Sequence, residues 1–128
     1  MARKVIEASG APKPVGPYSK AIQVGDYVFL SGQGGVDPVS GKFASDIKGQ
    51  TKQTLENLQT VLNGANLTIA DLFKVSVFLR NASDFQAMNE VYKTFFPKDP
   101  PVRTTIVTEL LFPEMLIEID GAAYAKKD

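Results

Sequence analysis

The sequence predicts an α+β fold in which one mixed β-sheet carries two helices on a single face. Three observations lead there. Only two stretches, residues 47–65 and 83–96, repeat their apolar residues at helical spacing, while the other apolar runs are short, rich in β-branched and aromatic residues, and bounded by Gly, Pro, Asn or Asp. Read in order the segments run β-β-β-α-β-α-β-β, an order that places both interposed helices on one side of a sheet. Several strands (YVFLS, LFKVSVFL and the one holding Ile117 and Ile119) are apolar on both sides, so both faces of the sheet expect cover.

Residues 3–7 (RKVIE) read as a short edge strand, and residues 8–17 (ASGAPKPVGP) have too much Gly and Pro for anything but an irregular loop. Residues 19–24 and 27–31 flank Gly25-Asp26, the signature of a hairpin. Residues 34–41 (GGVDPVSG) are punctuated for turns. The first helix follows, with Leu55, Leu58, Leu62 and Ala65 on one side and a stop at Gly64 and Asn66. Leu72–Leu79 reads as a buried strand. Ser83 and Gln86 fit a capping box opening a second helix, whose Phe85, Met88, Tyr92 and Phe95 share a face and which must close before Pro97. Residues 103–108 and 116–124 complete the set as strands. Both helical stripes read as core, with no cofactor attached. No repeat, low-complexity tract or linker divides the chain, so residues 1–128 read as one domain.

Composition limits the chemistry. Of 128 residues, 44% are hydrophobic and 22% charged, the balance of a globular protein, and Lys+Arg and Asp+Glu both number 14. With no net charge there is no basic field to attract nucleic acid or a membrane surface, and little repulsion to keep identical copies apart. The chain has neither Cys nor His. Disulfides, thiolate nucleophiles and thiolate metal sites are excluded, and so is the usual base near neutral pH. Catalysis must rest on carboxylates, Arg, Lys, Tyr, hydroxyls, backbone groups or water. The first residues lack an apolar signal core and no apolar run nears the roughly 20 residues that span a bilayer, so a cytoplasmic protein is expected. The sequons at Asn66 and Asn81 then read as turn and cap residues.

Four residues stand out for chemistry. Arg103 follows Pro100-Pro101-Val102, a stiff approach, and offers a permanently charged fork matched to a carboxylate. From spacing alone the plainer reading, a surface Arg paired with an acid, is the stronger. Glu118 interrupts an apolar strand, with Asp120 on its own face and Ile117 and Ile119 on the other. A base, a water-positioning group and a solvated strand face all remain open for it. Tyr18 and Ser31 end their segments, Ser31 before a Gly-containing turn whose N–H groups suit an anion. GQGG completes neither nucleotide-binding pattern, so the bland reading of that loop is the better one.

GPYSKAI at 16–22, LSGQGGVDP at 30–38, QTLENLQTVL at 53–62, VSVFLRNASDFQAMNEVY at 75–92, PVRTT at 101–105 and IEID at 117–120 stand in an order and spacing that resemble the RidA/YjgF family over essentially the whole chain. The resemblance implies a chorismate-mutase-like fold assembled as a homotrimer around a central β-barrel, with active sites in clefts between subunits. It implies cofactor-free hydrolysis of 2-imino acids such as 2-iminobutanoate and 2-iminopropanoate to 2-oxo acids and ammonia, with a small-molecule substrate and neither nucleic acid nor membrane as partner. Arg103 then matches the residue that binds the substrate carboxylate and Glu118 the acid that holds or activates water. Tyr18, Ser31 and Asn89 match cleft-lining positions, and backbone groups around Gly32 and Thr105 match contacts to substrate or water. Thr105 stands where many relatives carry Cys or Ala. The alternatives are an endoribonuclease or translation inhibitor, a label some relatives carry, and a non-catalytic, chaperone-like trimer that holds carboxylates.

Overall fold

The structure is a computed structural model and describes residues 2–126. Strands β1 (Arg3–Val5), β2 (Ala21–Val24) and β3 (Tyr27–Gly34) precede helix α1 (Ile47–Asn63). Strand β4 (Leu72–Leu79), helix α2 (Phe85–Phe95) and strands β5 (Val102–Val107) and β6 (Ile117–Tyr124) follow. The six strands form one sheet in the order β1-β2-β3-β6-β4-β5. Every neighbouring pair is antiparallel except β4 and β5, which α2 connects as a crossover. The α+β mixed sheet read from the sequence is thus the observed one.

Local chemistry accounts for the element ends. The hairpin between β2 and β3 closes at Val24↔Tyr27 with Gly25 at φ 58°, a conformation that an L side chain resists. Asp46 caps α1 by accepting from the Gly49 N–H at 2.8 Å. Beyond α1 the left-handed step falls on Asn66 (φ 60°), while Gly64 stays right-handed. Gly64 answers a different demand: a Cβ there would collide with the Glu7 carbonyl, so its lack of a side chain lets the loop after β1 lie against the helix end.

The capping box expected at Ser83 and Gln86 does not form. Residues Ala82–Asp84 make a 3-10 turn whose backbone already bonds the Asp84 N–H to Asn81 O and the Phe85 N–H to Ala82 O, so no side chain caps α2.

The core lies between the sheet and the two helices. Val28, Leu55, Leu58, Leu62, Val75, Val77, Leu79, Met88, Ile117 and Ile119 are buried in one cluster. Each contributes on the order of 1.5–3 kcal/mol by leaving water. Of the four buried polar side chains of α1 (Gln50, Thr51, Thr54 and Asn57), the two amides reach loops outside the helix. The Gln50 amide donates to Ala44 O (2.9 Å) and Glu114 O (2.8 Å) and accepts from the Leu116 N–H (2.8 Å). Asn57 donates to Gly34 O (3.0 Å) and Val36 O (2.9 Å) and accepts from Gln53 (2.9 Å). Together they bind α1 to the loops at the ends of β3 and β6. Cross-strand partners share a face, so the register places Phe29, Phe78 and Ile106 on the sheet face turned away from the helices. Phe29 and Ile106 there remain 53% and 45% exposed, an apolar face without cover.

Candidate functional site

Sheet register decides which candidate residues meet. Arg103 lies opposite Val75, and Val75 is buried beneath the helices. Glu118 lies opposite Phe78, three residues along the same strand and therefore on the other face. Arg103 and Glu118 thus sit on opposite sides of one sheet, and the candidates divide into two groups.

The first group surrounds a cavity of about 340 Å³ at the end of β3 and β6. Tyr18, Lys20, Ser31, Gly32 and Glu118 line one part, and Phe43, Leu111, Phe112 and Met115 the other. Pairing between β3 and β6 is irregular from Leu30 to Gln33, so Ser31 and Gly32 bulge out of the ladder beside Glu118. A Cβ on Gly32 would come within 2.5 Å of the Glu118 carboxylate, so a side chain there would push that carboxylate from its place. Ser31 is already engaged, its hydroxyl donating to Ser19 O at 2.6 Å and its N–H to Lys20 O at 2.9 Å. With its hydroxyl proton so engaged, Ser31 offers the cavity an acceptor. The Tyr18 hydroxyl accepts from the Val15 N–H at 3.2 Å, and the Lys20 ammonium donates to Ala8 O at 3.1 Å. Burial pushes the Glu118 carboxyl above the usual carboxylate range, and the neighbouring Asp120 charge pushes the same way.

The second group lies on the helix side, in a cleft of about 360 Å³ that Asn89, Tyr92, Phe96, Pro101 and Arg103 line. The Arg103 guanidinium carbon lies 4.7 Å from the Tyr92 ring centre and 5.7 Å from that of Phe85. Its Nη1 reaches the Met88 sulfur at 4.0 Å. Among the described residues no carboxylate is within ion-pair distance of Arg103, so the surface ion pair that spacing favoured is not made. Burial raises the Tyr92 hydroxyl pKa, and the nearby Arg103 charge offsets this in part. Thr105 follows two residues after Arg103 on the same face but lines neither cavity.

Several contributors escaped sequence reasoning. The wall formed by Leu111, Phe112 and Met115 belongs to a segment without helical or strand periodicity. Arg80 fixes that segment by donating to Met115 O (2.7 Å), Leu110 O (3.2 Å) and Phe112 O (2.7 Å). The signal for Arg80 was a cation directly after a buried strand. Lys20 sits within GPYSKAI without any pattern of its own, and the aromatic residues beneath Arg103 look in sequence like ordinary core. Among the described residues no cluster of acids could hold a metal ion, and no helix is long and apolar enough to cross a membrane.

Comparison with known proteins gives a consistent picture. A family model described as Endoribonuclease L-PSP matches residues 8–125. A RutC family protein of Pyrococcus abyssi is 42% identical over 125 residues, 97% of this chain and 98% of the relative. TdcF of Escherichia coli, whose name provisionally assigns it a reactive intermediate deaminase activity, is 35% identical over 94% of this chain and 96% of its own. The crystal structure of TdcF with bound serine superposes with a TM-score of 0.90 at 34% identity, covering 96% of this chain and 99% of that one. RidA from an Antarctic Psychrobacter also gives 0.90, at 32% identity over 94% and 98% of the two chains.

Proposed function

The chain belongs to the RidA/YjgF family, which the L-PSP model describes, and from that premise we propose that it is a cofactor-independent deaminase hydrolysing 2-imino acids to 2-oxo acids and ammonia. One observation carries the reading: Arg103 presents a charged, planar fork that no acid among the described residues occupies. Such a fork is matched to a carboxylate, which every 2-imino acid carries.

The chemistry needs little more than orientation and a proton acceptor. A protonated imine is already electrophilic at C2. With its carboxylate on Arg103, water held by Glu118 adds to C2 and passes a proton to the Glu118 carboxylate. The nitrogen of the tetrahedral intermediate takes that proton and leaves as ammonia, while the C2 hydroxyl returns its proton to Glu118 and becomes the 2-oxo group. The ammonia then collects this second proton, so iminium acid plus water gives 2-oxo acid plus ammonium. Burial supports Glu118 in this part, because a raised pKa makes its carboxylate a better proton acceptor near neutral pH. Gly32, Ser31 and Tyr18 beside Glu118, and Asn89 beside Arg103, would contact substrate or water, with Thr105 as the neighbour of Arg103. The apolar wall of the Glu118 cavity suits an aliphatic side chain.

One copy cannot complete this site, since its two halves lie on opposite faces of the sheet. A closed ring of copies packed through the uncovered apolar face would bring Arg103 of one chain to the Glu118 cavity of the next. The family resemblance supports a homotrimer as that ring and the cytoplasm as its place.

The test is hydrolysis of freshly generated 2-iminobutanoate and 2-iminopropanoate, followed by competition with semicarbazide. Wild type should divert the imine to 2-oxo acid, and Arg103→Ala should lose roughly ten- to a hundredfold in kcat/KM, the worth of charged hydrogen bonds. Unchanged turnover in Arg103→Ala would sink the proposal. The family model's description also keeps an endoribonuclease in view. Zero net charge and the absence of His weigh against it, and RNA cleavage that tracked the purified protein would reverse that judgement.

A further inference from the structure

Arg103 is held in an unusual way for a half-buried cation. Where an acid would normally anchor it, the guanidinium rests on two rings of α2, 4.7 Å from Tyr92 and 5.7 Å from Phe85, with the Met88 sulfur at 4.0 Å from Nη1. The distinction matters for function. An aromatic ring engages the flat face of a guanidinium, whereas its N–H donors lie in the plane and stay available. A carboxylate partner would consume those donors and would have to be displaced by every substrate molecule.

The two rings do not behave as ordinary core residues. Phe85 is 43% exposed although it starts a helix whose apolar side is otherwise turned inward, so its ring is spent on Arg103 rather than on burial. Tyr92 is buried with its ring against the guanidinium, and the Arg103 cation acts on its hydroxyl as well, lowering a pKa that burial raises. Pro100 and Pro101 stiffen the backbone entering β5 and line the same cleft, fixing the guanidinium from the other end.

We propose that Phe85 and Tyr92 are positioning residues, an aromatic platform that holds Arg103 in place without an ion pair among the described residues, so that its fork meets a substrate carboxylate without reorganisation. This rests on the reading that Arg103 takes that carboxylate. The platform acts on binding, before any bond to C2 changes. It therefore predicts a KM effect with kcat largely kept, and the same effect on the affinity of a 2-oxo acid product.

The experiment compares Phe85→Leu, Tyr92→Leu, Tyr92→Phe, Arg103→Ala and the double variant Phe85→Leu/Arg103→Ala. It measures kcat and KM for 2-iminobutanoate, the Kd of 2-oxobutanoate by calorimetry, and thermal stability. Phe85 is surface-accessible, so its variant keeps the fold even where Tyr92→Leu does not. Phe85→Leu should raise KM and Kd roughly three- to tenfold, the size of a cation–π contact. Tyr92→Phe should rescue what Tyr92→Leu loses. With Ala at 103 there is no cation for the ring to hold, so Phe85→Leu should then change Kd less than about twofold, the non-additivity of coupled residues. The platform is overturned by a Phe85→Leu Kd within twofold of wild type, or by an equal loss in both backgrounds, which would mark a merely structural role. Arg103→Ala separates the two levels. Affinity lost there but kept in Phe85→Leu removes the platform alone, whereas affinity kept in Arg103→Ala removes the carboxylate reading and the platform with it.

Discussion

Glu118 gives up hydration at the wall of its cavity and gains another acid, Asp120, as its charged neighbour, so its proton is held more tightly in the folded chain than in the unfolded one. A group of this kind adds to stability fully below its unfolded value, near 4.5, and that contribution is lost as the pH rises through the higher folded value. Glu118→Gln, neutral at every pH, should therefore melt above wild type at pH 7 to 8, with the two curves converging as the pH falls below about 4.5. Thermal scans across pH check this, and a gap that widens on acidification would contradict it. The same variant should lose imine turnover, so stability and activity part at this residue. The sequence marked Glu118 correctly as an acid among apolar neighbours but left open whether its face was solvated. Burial and the Gly32 approach resolve that, and both depend on a bulge in β3 that no local pattern announces. Arg103 was legible as a carboxylate fork by its chemistry. Its freedom from an ion pair was not, because it depends on where every acid of the folded chain lies.

At the level of elements, the cavity wall is made by a segment with no regular structure of its own. Arg80 holds it through three backbone carbonyls, and Gln50 holds its end through Glu114 and Leu116. Arg80→Ala strips hydrogen bonds from a charged donor and should cost about 1–3 kcal/mol, several degrees in Tm. It should also raise KM, since Leu111, Phe112 and Met115 lose their anchor. A Tm within a degree of wild type, or an unchanged KM, would show that the wall stands without it. The exposed Lys48–Glu90 pair between the two helices, 2.8 Å long, contributes little by comparison. Strands and helices were legible because each carries its own period: alternate residues in β4 and β6, and the Leu55, Leu58, Leu62 stripe in α1. The start of α2 was misread because a 3-10 turn satisfies by backbone what Ser83 was expected to satisfy by side chain. The alternation rule does carry the separation of Arg103 from Glu118, but only once the pairings Val75↔Arg103 and Phe78↔Glu118 are known.

For the whole molecule, the apolar face carrying Phe29 and Ile106 is uncovered in one copy, and Arg103 and Glu118 lie on opposite faces of its sheet; on the proposed reading a second copy of the chain answers both. The sequence foresaw the uncovered face from strands apolar on both sides. The family resemblance placed the site in a cleft between subunits, but only the strand pairings show that Arg103 and Glu118 lie on opposite faces. The measurement that tests this account most directly is complementation between inactive subunits. Arg103→Ala and Glu118→Gln chains, each silent alone toward 2-iminobutanoate, are refolded together in equal amounts, and turnover is compared with wild type. If Arg103 and Glu118 of neighbouring copies make one site, random mixing in a cyclic ring regenerates about a quarter of the native sites, and activity returns to roughly that level. Mixed assemblies that form and stay silent would contradict the account.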